Sequence, residues 1–504
     1  MRQELERVTP ESVGISSQTI CSFIEELEKS GTEMHGLMIA RFGKVAAECW
    51  WKPYTKDTPH VCHSLGKTYT GTSVGMACTE GILNLDEKLV DIFADEFREL
   101  DFEPDDNFKQ ITVHHVLSMG NGMAQQPDAG ENWFRNFLTH KVDYKPGTHF
   151  LYNSMGSCML SAIVQKRCGE GIREYLTPRV FEKIGMDTGA LKWLKFHDGH
   201  YAEPGVFSTT ENNLRLAMLY MNKGKWNGET ILSEEWVERA VSKQIDTTED
   251  GGIQECKYGY GYQLWMCRIP GVYRFDGGHG QYCIISPKDQ LIIAINEGAA
   301  YPTYVQKTLD IVFRYFFGKE LESRIEENEE AWNRLLEIEH SREIPKIKTK
   351  PVQEGAAKIN GTYTVTEGDP NVWLELHPDS KAPNFFEDFY ENRNSKVSKI
   401  SFQMENGYCL LQYDDDVVFH VRMDNEYRVE RVNNRVMPPL DLTVSNGYFL
   451  DENTFVVQMR WLNTCFVTKS VFEFHGDEVN IDVVKYTLQE RMPFITNKAH
   501  AKKE

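Results

Sequence analysis

The stretch HSLGKTYTGTSVGMACTEGILNLDEKL, residues 63–89, is the most informative part of the chain for its architecture. It places Ser64 and Lys67 three residues apart at the start of a segment whose apolar pattern predicts a helix. Residues i and i+3 lie on one face of a helix, about one turn apart. Lys67 is therefore either a solvated surface lysine or an amine buried beside the serine hydroxyl.

The buried alternative has a defined chemistry. Ser64 in the first turn would lie at the positive end of the helix dipole, which favours an oxyanion near its own N–H. Burial lowers the pKa of an amine, and an unprotonated lysine can accept a proton from a serine hydroxyl. Ser64 is the only serine of this chain with a lysine three residues later.

Two later stretches add groups that such a serine would need. PGTHFLYNSMGSCMLSAIVQKRCG, residues 146–169, carries Tyr152 just before an apolar helical segment. A tyrosine near a cation can pass a proton to a leaving group, although a half-buried core tyrosine is the commoner case. VYRFDGGHGQYCIISPKDQL, residues 272–291, has glycines that let a strand approach a ligand closely. A strand N–H there could be a second oxyanion donor, or the stretch could be only a tight hairpin.

In this order, the three stretches resemble the serine β-lactamase and penicillin-binding-protein superfamily. The similarity is to the class C-like branch, which includes DD-peptidases, esterases and 6-aminohexanoate-dimer hydrolases. It extends over nearly all of residues 8–318. Other segments that resemble the family in the expected order are TPESVGIS, ARFGKVAAECWWKPY, EGILNLDEKL, ITVHHVLSMGNGM, FSTTENNLRLAMLYMNKGKWNGETIL and YGYGYQLW.

The resemblance implies a role for each candidate residue. Ser64 would be the nucleophile, Lys67 its base partner and Tyr152 the general acid and base. The oxyanion hole would use the N–H of Ser64 and one from the strand between Phe275 and Gly277.

The sequence departs from the family pattern at two places. The class C pattern Tyr-x-Asn is replaced, because Ser154 stands where the substrate-contacting Asn is expected. The usual Lys-Thr-Gly or His-Thr-Gly is absent, and its position falls around residues 272–276, which include Asp276. Arg274 could replace the missing cation that holds a substrate carboxylate, but an arginine fork is not equivalent to a lysine. His279 could contact substrate, or be a turn histidine packed on the helical block. Both departures weaken a penicillin-type substrate and leave acyl transfer possible.

The pattern along the chain predicts α+β architecture with a β-lactamase-like antiparallel sheet, flanking helices and an all-α insertion. We expect this serine hydrolase domain to span residues 1–318. A charged helix and linker would occupy residues 319–351, with the stretch from Ile344 to Pro351 open to proteases. Short alternating runs split by Gly, Asn and Asp predict an all-β barrel or sandwich over residues 352–504.

Composition limits the alternatives. The 504 residues carry a formal net charge of −20 and no basic block beyond a short tail, which argues against nucleic-acid binding. No apolar run is long enough to span a membrane, and the N-terminus has no secretory pattern, so a cytoplasmic location is expected. The eleven cysteines are scattered without a CxxC pair.

The expected activity is hydrolysis of a small ester, amide or peptide through an acyl-enzyme, with no cofactor and no metal. HDGH at 197–200 is the best histidine pair, but it lies in a loop-like stretch without the set of carboxylates that would complete a metal site. A catalytically silent, β-lactamase-like binding protein, whose β-domain recognises a ligand or partner, is the alternative function. The sequence does not define the oligomeric state.

Overall fold

A computed structural model describes residues 4–129, 132–196, 198–346, 356–374, 396–433, 435, 439–487 and 495–504. The described residues divide into two compact units. The first unit takes residues up to 50 and from 59 to 342, and the second takes 51–58 and the region after 342. Among the described residues, no helix has both the length and the apolar character needed to cross a membrane.

The first unit is built on a six-stranded antiparallel sheet in the order β2-β1-β11-β10-β9-β8. Its central strands are buried along their whole length, as expected for a sheet covered on both faces. Two smaller sheets have the orders β3-β5-β4 and β6-β7. The strands of this unit are β1 Glu33–Arg41, β2 Lys44–Trp50, β3 His60–Val61, β4 Lys192–Lys195, β5 Tyr201–Ser208, β6 Lys225–Trp226, β7 Glu229–Thr230, β8 Trp265–Met266, β9 Tyr273–Gly277, β10 Gln281–Ser286 and β11 Leu291–Gly298.

The helices of the first unit lie mostly between β2 and β9, which confirms α+β architecture with a helical insertion. They are α1 Ser17–Lys29, α2 Gly66–Thr79, α3 Leu89–Ile92, α4 Ala94–Glu99, α5 Val113–Leu117, α6 Trp133–Leu138, α7 Ser154–Cys168, α8 Ile172–Leu176, α9 Thr210–Met221, α10 Glu234–Ala240, α11 Thr303–Phe316 and α12 Glu329–Ser341.

Local signals in the sequence account for several of these boundaries. The β1–β2 hairpin turns at Phe42 and Gly43, both with positive φ, as a tight two-residue connection requires. Helix α9 begins after Thr209, whose side chain accepts a hydrogen bond from the Asn212 N–H. The stretch YGYGYQLWMC contributes only the two-residue strand β8, Trp265–Met266.

Helix α12 lies in the segment predicted as charged helix and linker, and it belongs to the first unit. Its buried face comprises Ala331, Leu335 and Ile338. The Cys21 sulfur on α1 lies 4.0 Å from the Ala331 carbonyl oxygen, so the two helices are in contact. The charged segment therefore contains a helix that packs on α1 within the first unit.

The second unit is an all-β domain whose described strands form one ten-stranded sheet that curls back on itself. The pair Arg422 and Asn446 joins β15 to β17 and closes the sheet into a barrel. Tyr363, Phe402, Phe472 and Phe474 pack edge to face in its interior. The strands are β12 Gly361–Gly368, β13 Lys399–Glu405, β14 Tyr408–Tyr413, β15 Val417–Arg422, β16 Glu430–Arg431, β17 Leu442–Phe449, β18 Thr454–Trp461, β19 Phe466–His475, β20 Glu478–Thr487 and β21 Ile495–Lys503.

The expectation of an exposed linker from Ile344 to Pro351 is wrong for its first residue. Ile344 is buried, its N–H donates to the Lys52 carbonyl oxygen, and its own carbonyl accepts from the Tyr427 hydroxyl. Residues 347–351 lie outside the described part. The segment Trp51–Thr58 also belongs to the second unit, although both of its flanks belong to the first.

Candidate active site

Ser64 lies in a single turn of 3₁₀ helix, His63–Leu65, immediately before α2. The preceding residue His63 has a φ of +47°, a left-handed conformation that is rare for a residue with a Cβ. Such local strain is common where a side chain must be presented in one orientation. The Ser64 side chain remains partly accessible, in contrast to the buried residues on either side.

Lys67 is in the first turn of α2 and is 1% exposed, so the surface-lysine alternative is excluded. Its Nζ lies 3.1 Å from the Ser64 Oγ and 3.0 Å from the Ser154 Oγ. Nζ also sits 4.7 Å from the centre of the Tyr152 ring. One ammonium thus brings together three of the residues that the sequence singled out.

Tyr152 completes this group. The nearby Ser64 hydroxyl lowers the pKa of the Tyr152 hydroxyl. Burial and the negative charge of Glu203 outweigh this and hold the Tyr152 pKa well above its usual value of 10. The ring stacks on Trp265 at 5.6 Å, and this contact fixes its orientation. Tyr152 therefore faces Ser64 as a protonated hydroxyl.

Ser154 and Asn153 differ in what they contact. The Ser154 hydroxyl accepts from Lys67, and its N–H donates to the Gln126 Oε1 at 2.6 Å. The Asn153 side chain is buried and caps α7 by accepting from the Gly156 N–H. Ser154 is thus in contact with Lys67, whereas Asn153 supports the helix.

Strand β9 runs beside the serine turn. A Cβ atom at Gly277 would overlap the Cys62 carbonyl oxygen and lie 3.0 Å from the Leu65 nitrogen. Gly278 follows at the surface, 3.7 Å from the His63 side chain when given a Cβ. The backbone of this strand end therefore lies against the turn that carries Ser64.

Arg274 and Phe275 precede Asp276 on β9, and neither side chain is available to a substrate. Arg274 is fully buried, its Nε is 2.6 Å from the Asp276 carboxylate, and its Nη1 donates to the carbonyl oxygens of Glu255 and Met266. With these donors engaged, Arg274 is not placed to receive a substrate carboxylate. The Phe275 ring packs edge to face on Tyr220, away from Ser64.

In the ion pair of Arg274 and Asp276, Asp276 is the partly exposed residue, with 18% of its side chain accessible. Burial raises the pKa of its carboxyl, while the charges of Arg274 and Lys67 oppose that rise. Its own charge contributes to the raised Tyr152 pKa, which puts it within electrostatic reach of the site. A carboxylate therefore stands at the position where the family pattern has a cation or a hydroxyl.

His279 is 6% exposed and has a φ of +59°. Its ring lies 5.3 Å from the His63 ring, and its carbonyl oxygen accepts a hydrogen bond from the Ala299 N–H. This is the packed turn histidine that the sequence left as an alternative to substrate contact.

Sequence analysis missed Glu203, which is on β5 and fully buried. Its Oε2 lies 2.7 Å from the Lys67 Nζ. Burial raises the Glu203 pKa, and the Lys67 charge opposes that rise. The available signal was a single carboxylate in the otherwise apolar run YAEPGVF, where an unpaired charge would be costly.

Within the described residues, no group of three or more His, Cys, Asp or Glu side chains could hold a metal ion. His197 of the HDGH segment lies outside that part of the chain. His200 lies 3.0 Å from the Asp198 carboxylate and stacks on Phe134.

The chain is similar to several known proteins. The chain is 21% identical over 294 residues to a 6-aminohexanoate-dimer hydrolase from Paenarthrobacter ureafaciens, covering 53% of this chain and 73% of that protein. A proposed 6-aminohexanoate-dimer hydrolase from Bacillus anthracis superposes with a TM-score of 0.50 at 17% identity, covering 63% of this chain and 89% of the other. An octameric penicillin-binding protein homologue from Pyrococcus abyssi gives a TM-score of 0.45 at 15% identity, covering 96% and 99%.

The protein is a serine hydrolase. Its chain belongs to the Beta-lactamase family, whose model matches residues 24–306, more than half of the sequence.

Proposed function

We propose that this protein hydrolyses a small ester or amide through an acyl-enzyme formed on Ser64. The observation that carries the proposal is the position of the Lys67 Nζ, 3.1 Å from the Ser64 Oγ in a buried pocket. The position of the Tyr152 ring, 4.7 Å from the same Nζ, supports it. A serine, a buried amine and a phenol in mutual contact form a path for one proton.

In the acylation step, the Ser64 Oγ attacks the substrate carbonyl carbon as its proton moves to Lys67. Tyr152 then gives a proton to the leaving oxygen or nitrogen and is reprotonated from Lys67. The raised Tyr152 pKa suits this role, because a protonated phenol is a donor at neutral pH. In deacylation the same groups take a proton from water and return one to Ser64.

The negative oxygen of the tetrahedral intermediate needs preorganised donors. The N–H of Ser64 and an N–H at the end of β9 are the proposed pair. The close approach of Gly277 to the Cys62–Leu65 backbone supports this, since the two segments face one another without side chains between them.

The charges of the site favour a substrate that has no carboxylate next to the reacting carbonyl. Arg274 is held by Asp276, and Lys67 is held by Glu203. An anionic substrate would meet the Asp276 carboxylate and would be costly to desolvate there. Uncharged acyl groups avoid this cost, so we infer a preference for neutral esters and amides over β-lactams.

Covalent labelling tests the nucleophile. A fluorophosphonate probe and a p-nitrophenyl butyrate assay are applied to the wild type, to Ser64→Ala and to Ser161→Ala, a buried serine on α7. Wild type and Ser161→Ala should label and turn over, with the added mass on the peptide that contains Ser64. Ser64→Ala should retain its melting temperature and lose at least about a thousandfold in activity. Activity of Ser64→Ala within tenfold of wild type would assign the nucleophile elsewhere.

A further inference from the structure

Lys67 and Glu203 form a buried ion pair beside Ser64. The two side chains are 1% and 0% exposed, and Nζ lies 2.7 Å from Oε2. Burying two charges is favourable only when the pair is tightly matched, and a contacting carboxylate favours the charged form of an amine. A lysine locked as an ammonium could not accept the Ser64 proton. The pair therefore needs a way to release the amine.

The backbone shows that Glu203 is placed there by the fold. A Cβ atom at Gly66, the residue before Lys67, would overlap the Glu203 carbonyl oxygen and lie 3.1 Å from the Val206 Cγ2. The glycine thus lets β5 lie against the start of α2. This contact places the Glu203 side chain beside the Lys67 Nζ, which also contacts the Ser64 Oγ.

We propose that Glu203 is a positioning residue that holds a proton for Lys67, so that the pair cycles between two states of equal total charge. In one state the ammonium faces a carboxylate. In the other, the proton has moved to the carboxylate, leaving a neutral amine beside a carboxylic acid. This inference rests on the proposed function, because it assigns Lys67 as the base for Ser64.

The protons balance through the reaction. Lys67 gives one proton to Glu203, and the free amine then takes the Ser64 proton as Oγ bonds to the carbonyl carbon. That proton leaves through Tyr152 with the alcohol or amine. The acyl-enzyme keeps the neutral amine and the carboxylic acid, and the amine accepts a proton from the attacking water. Transfer of that proton to Ser64 and return of the other from Glu203 restore the starting state.

Other titratable groups face this pair. Cys158 lies in α7, and Tyr152 lies in the loop before that helix. Tyr260 lies in the loop before β8, and Asp276 lies on β9. Burial raises the pKa of the Tyr260 hydroxyl well above its usual value and that of the Cys158 thiol likewise, so both are neutral near pH 7. Asp276 is held by Arg274. Glu203 is thus the carboxylate in contact with Lys67 among these groups.

The pH dependence of Ser64 labelling by a fluorophosphonate tests the proposal. In the wild type the proton stays within the pair, so the labelling rate should be flat from about pH 6 to 9. In Glu203→Gln the lysine must lose its proton to solvent, so the rate should fall at pH 6 and rise by about tenfold per pH unit until the lysine titrates. Glu203→Asp should keep the flat profile at a reduced rate. The matched control is Glu11→Gln, a buried carboxyl that hydrogen-bonds Ser17, and it should match the wild type.

Two outcomes overturn the inference. A rising limb in the wild type would do so without any variant, even if Glu203→Gln does not fold. A folded Glu203→Gln with a uniformly lowered but flat profile would make Glu203 a structural residue. Absence of labelling in the wild type would instead contradict the proposed function itself.

Discussion

Gly277 and Cys62 lie in backbone contact, with no room for a side chain at position 277. Cys62 precedes the strained residue His63 and the serine turn, whereas Gly277 ends the edge-side strand β9. The contact therefore sets the distance between the two segments that supply the proposed oxyanion donors. Losing even one such donor typically costs 10²–10³ in rate, about 3–4 kcal/mol.

Gly277→Ala should therefore reduce kcat for a p-nitrophenyl ester at least about a hundredfold, because the added methyl group pushes β9 away from Ser64. Gly278→Ala is the matched control. Its Cβ would meet nothing closer than 3.7 Å, so activity should stay within about threefold. Steady-state kinetics and thermal unfolding of both variants separate a catalytic loss from misfolding. Equal activities of the two variants would argue against β9 as an oxyanion donor.

The charge of Asp276 gives a prediction about substrate class. The wild type should hydrolyse a p-nitrophenyl acyl ester with a kcat/KM at least about tenfold above that for a chromogenic cephalosporin, since an unpaired ionic group costs more than about 1.4 kcal/mol to bury. Asp276→Asn should raise kcat/KM for the cephalosporin and so reduce that ratio, because the Arg274 charge is then no longer neutralised.

Comparison of both substrates at low and high salt supplies the control, since an electrostatic effect weakens as salt increases. Efficient cephalosporin hydrolysis by the wild type would show that another residue holds the carboxylate. An unchanged ratio in a folded Asp276→Asn would remove Asp276 from substrate discrimination.

The segment Trp51–Thr58 predicts how the protein responds to truncation. Trp51 and Tyr54 are 3% and 4% exposed, and the Tyr54 hydroxyl donates to the Thr464 carbonyl oxygen in the β-domain. A chain that ends at Arg342 would expose both aromatic side chains, each worth about 1.5–3 kcal/mol of burial. It should melt lower than the full chain and aggregate.

Replacing residues 51–58 of the truncated chain by a Gly/Ser loop should reduce that aggregation. Scattering at increasing temperature, together with ester hydrolysis, compares the two truncated forms with the full chain. The prediction is wrong if the unmodified truncated chain stays monomeric and has the same melting temperature as the hydrolase domain in the full chain. Residues 51–58 would then not need the β-domain to remain soluble.

The elements formed by local patterns were the ones that the sequence predicted well. The helix after Ser64, the helix after Tyr152 and the short strands of the β-domain depend on apolar periodicity and alternation, which are visible within a few residues. The Ser64–Lys67 contact was predictable because residues three apart share a helix face.

Long-range placement was not predictable in the same way. Glu203 reaches Lys67 only because Gly66 admits β5, and no local pattern relates positions 66 and 203. The partners of Arg274 were likewise not predictable. The sequence shows that an arginine is present, but its ion pair with Asp276 and its hydrogen bonds to two carbonyl oxygens depend on packing. The assignment of residues 51–58 to the β-domain had no sequence signal, because it depends on contacts with residues about 400 positions later.

Glu339 predicts how stability varies with pH. Its carboxyl accepts the Glu48 N–H at 3.1 Å, and burial raises its pKa from 4.5 to about 7, with a further contribution from the Glu48 charge. Because the folded state binds this proton more tightly than the unfolded state, stability from this group is present below pH 4.5 and is lost as pH rises toward 7.

Glu339→Gln keeps the acceptor without the charge. It should therefore match the wild type near pH 4.5 and be more stable by about 1–3 kcal/mol at pH 8.5. Urea unfolding at both pH values measures the difference, with the exposed Glu337→Gln on the same helix as control. A Glu339→Gln variant that is less stable at pH 8.5 would mean that the charged carboxylate is favourable in the folded state, contrary to its burial.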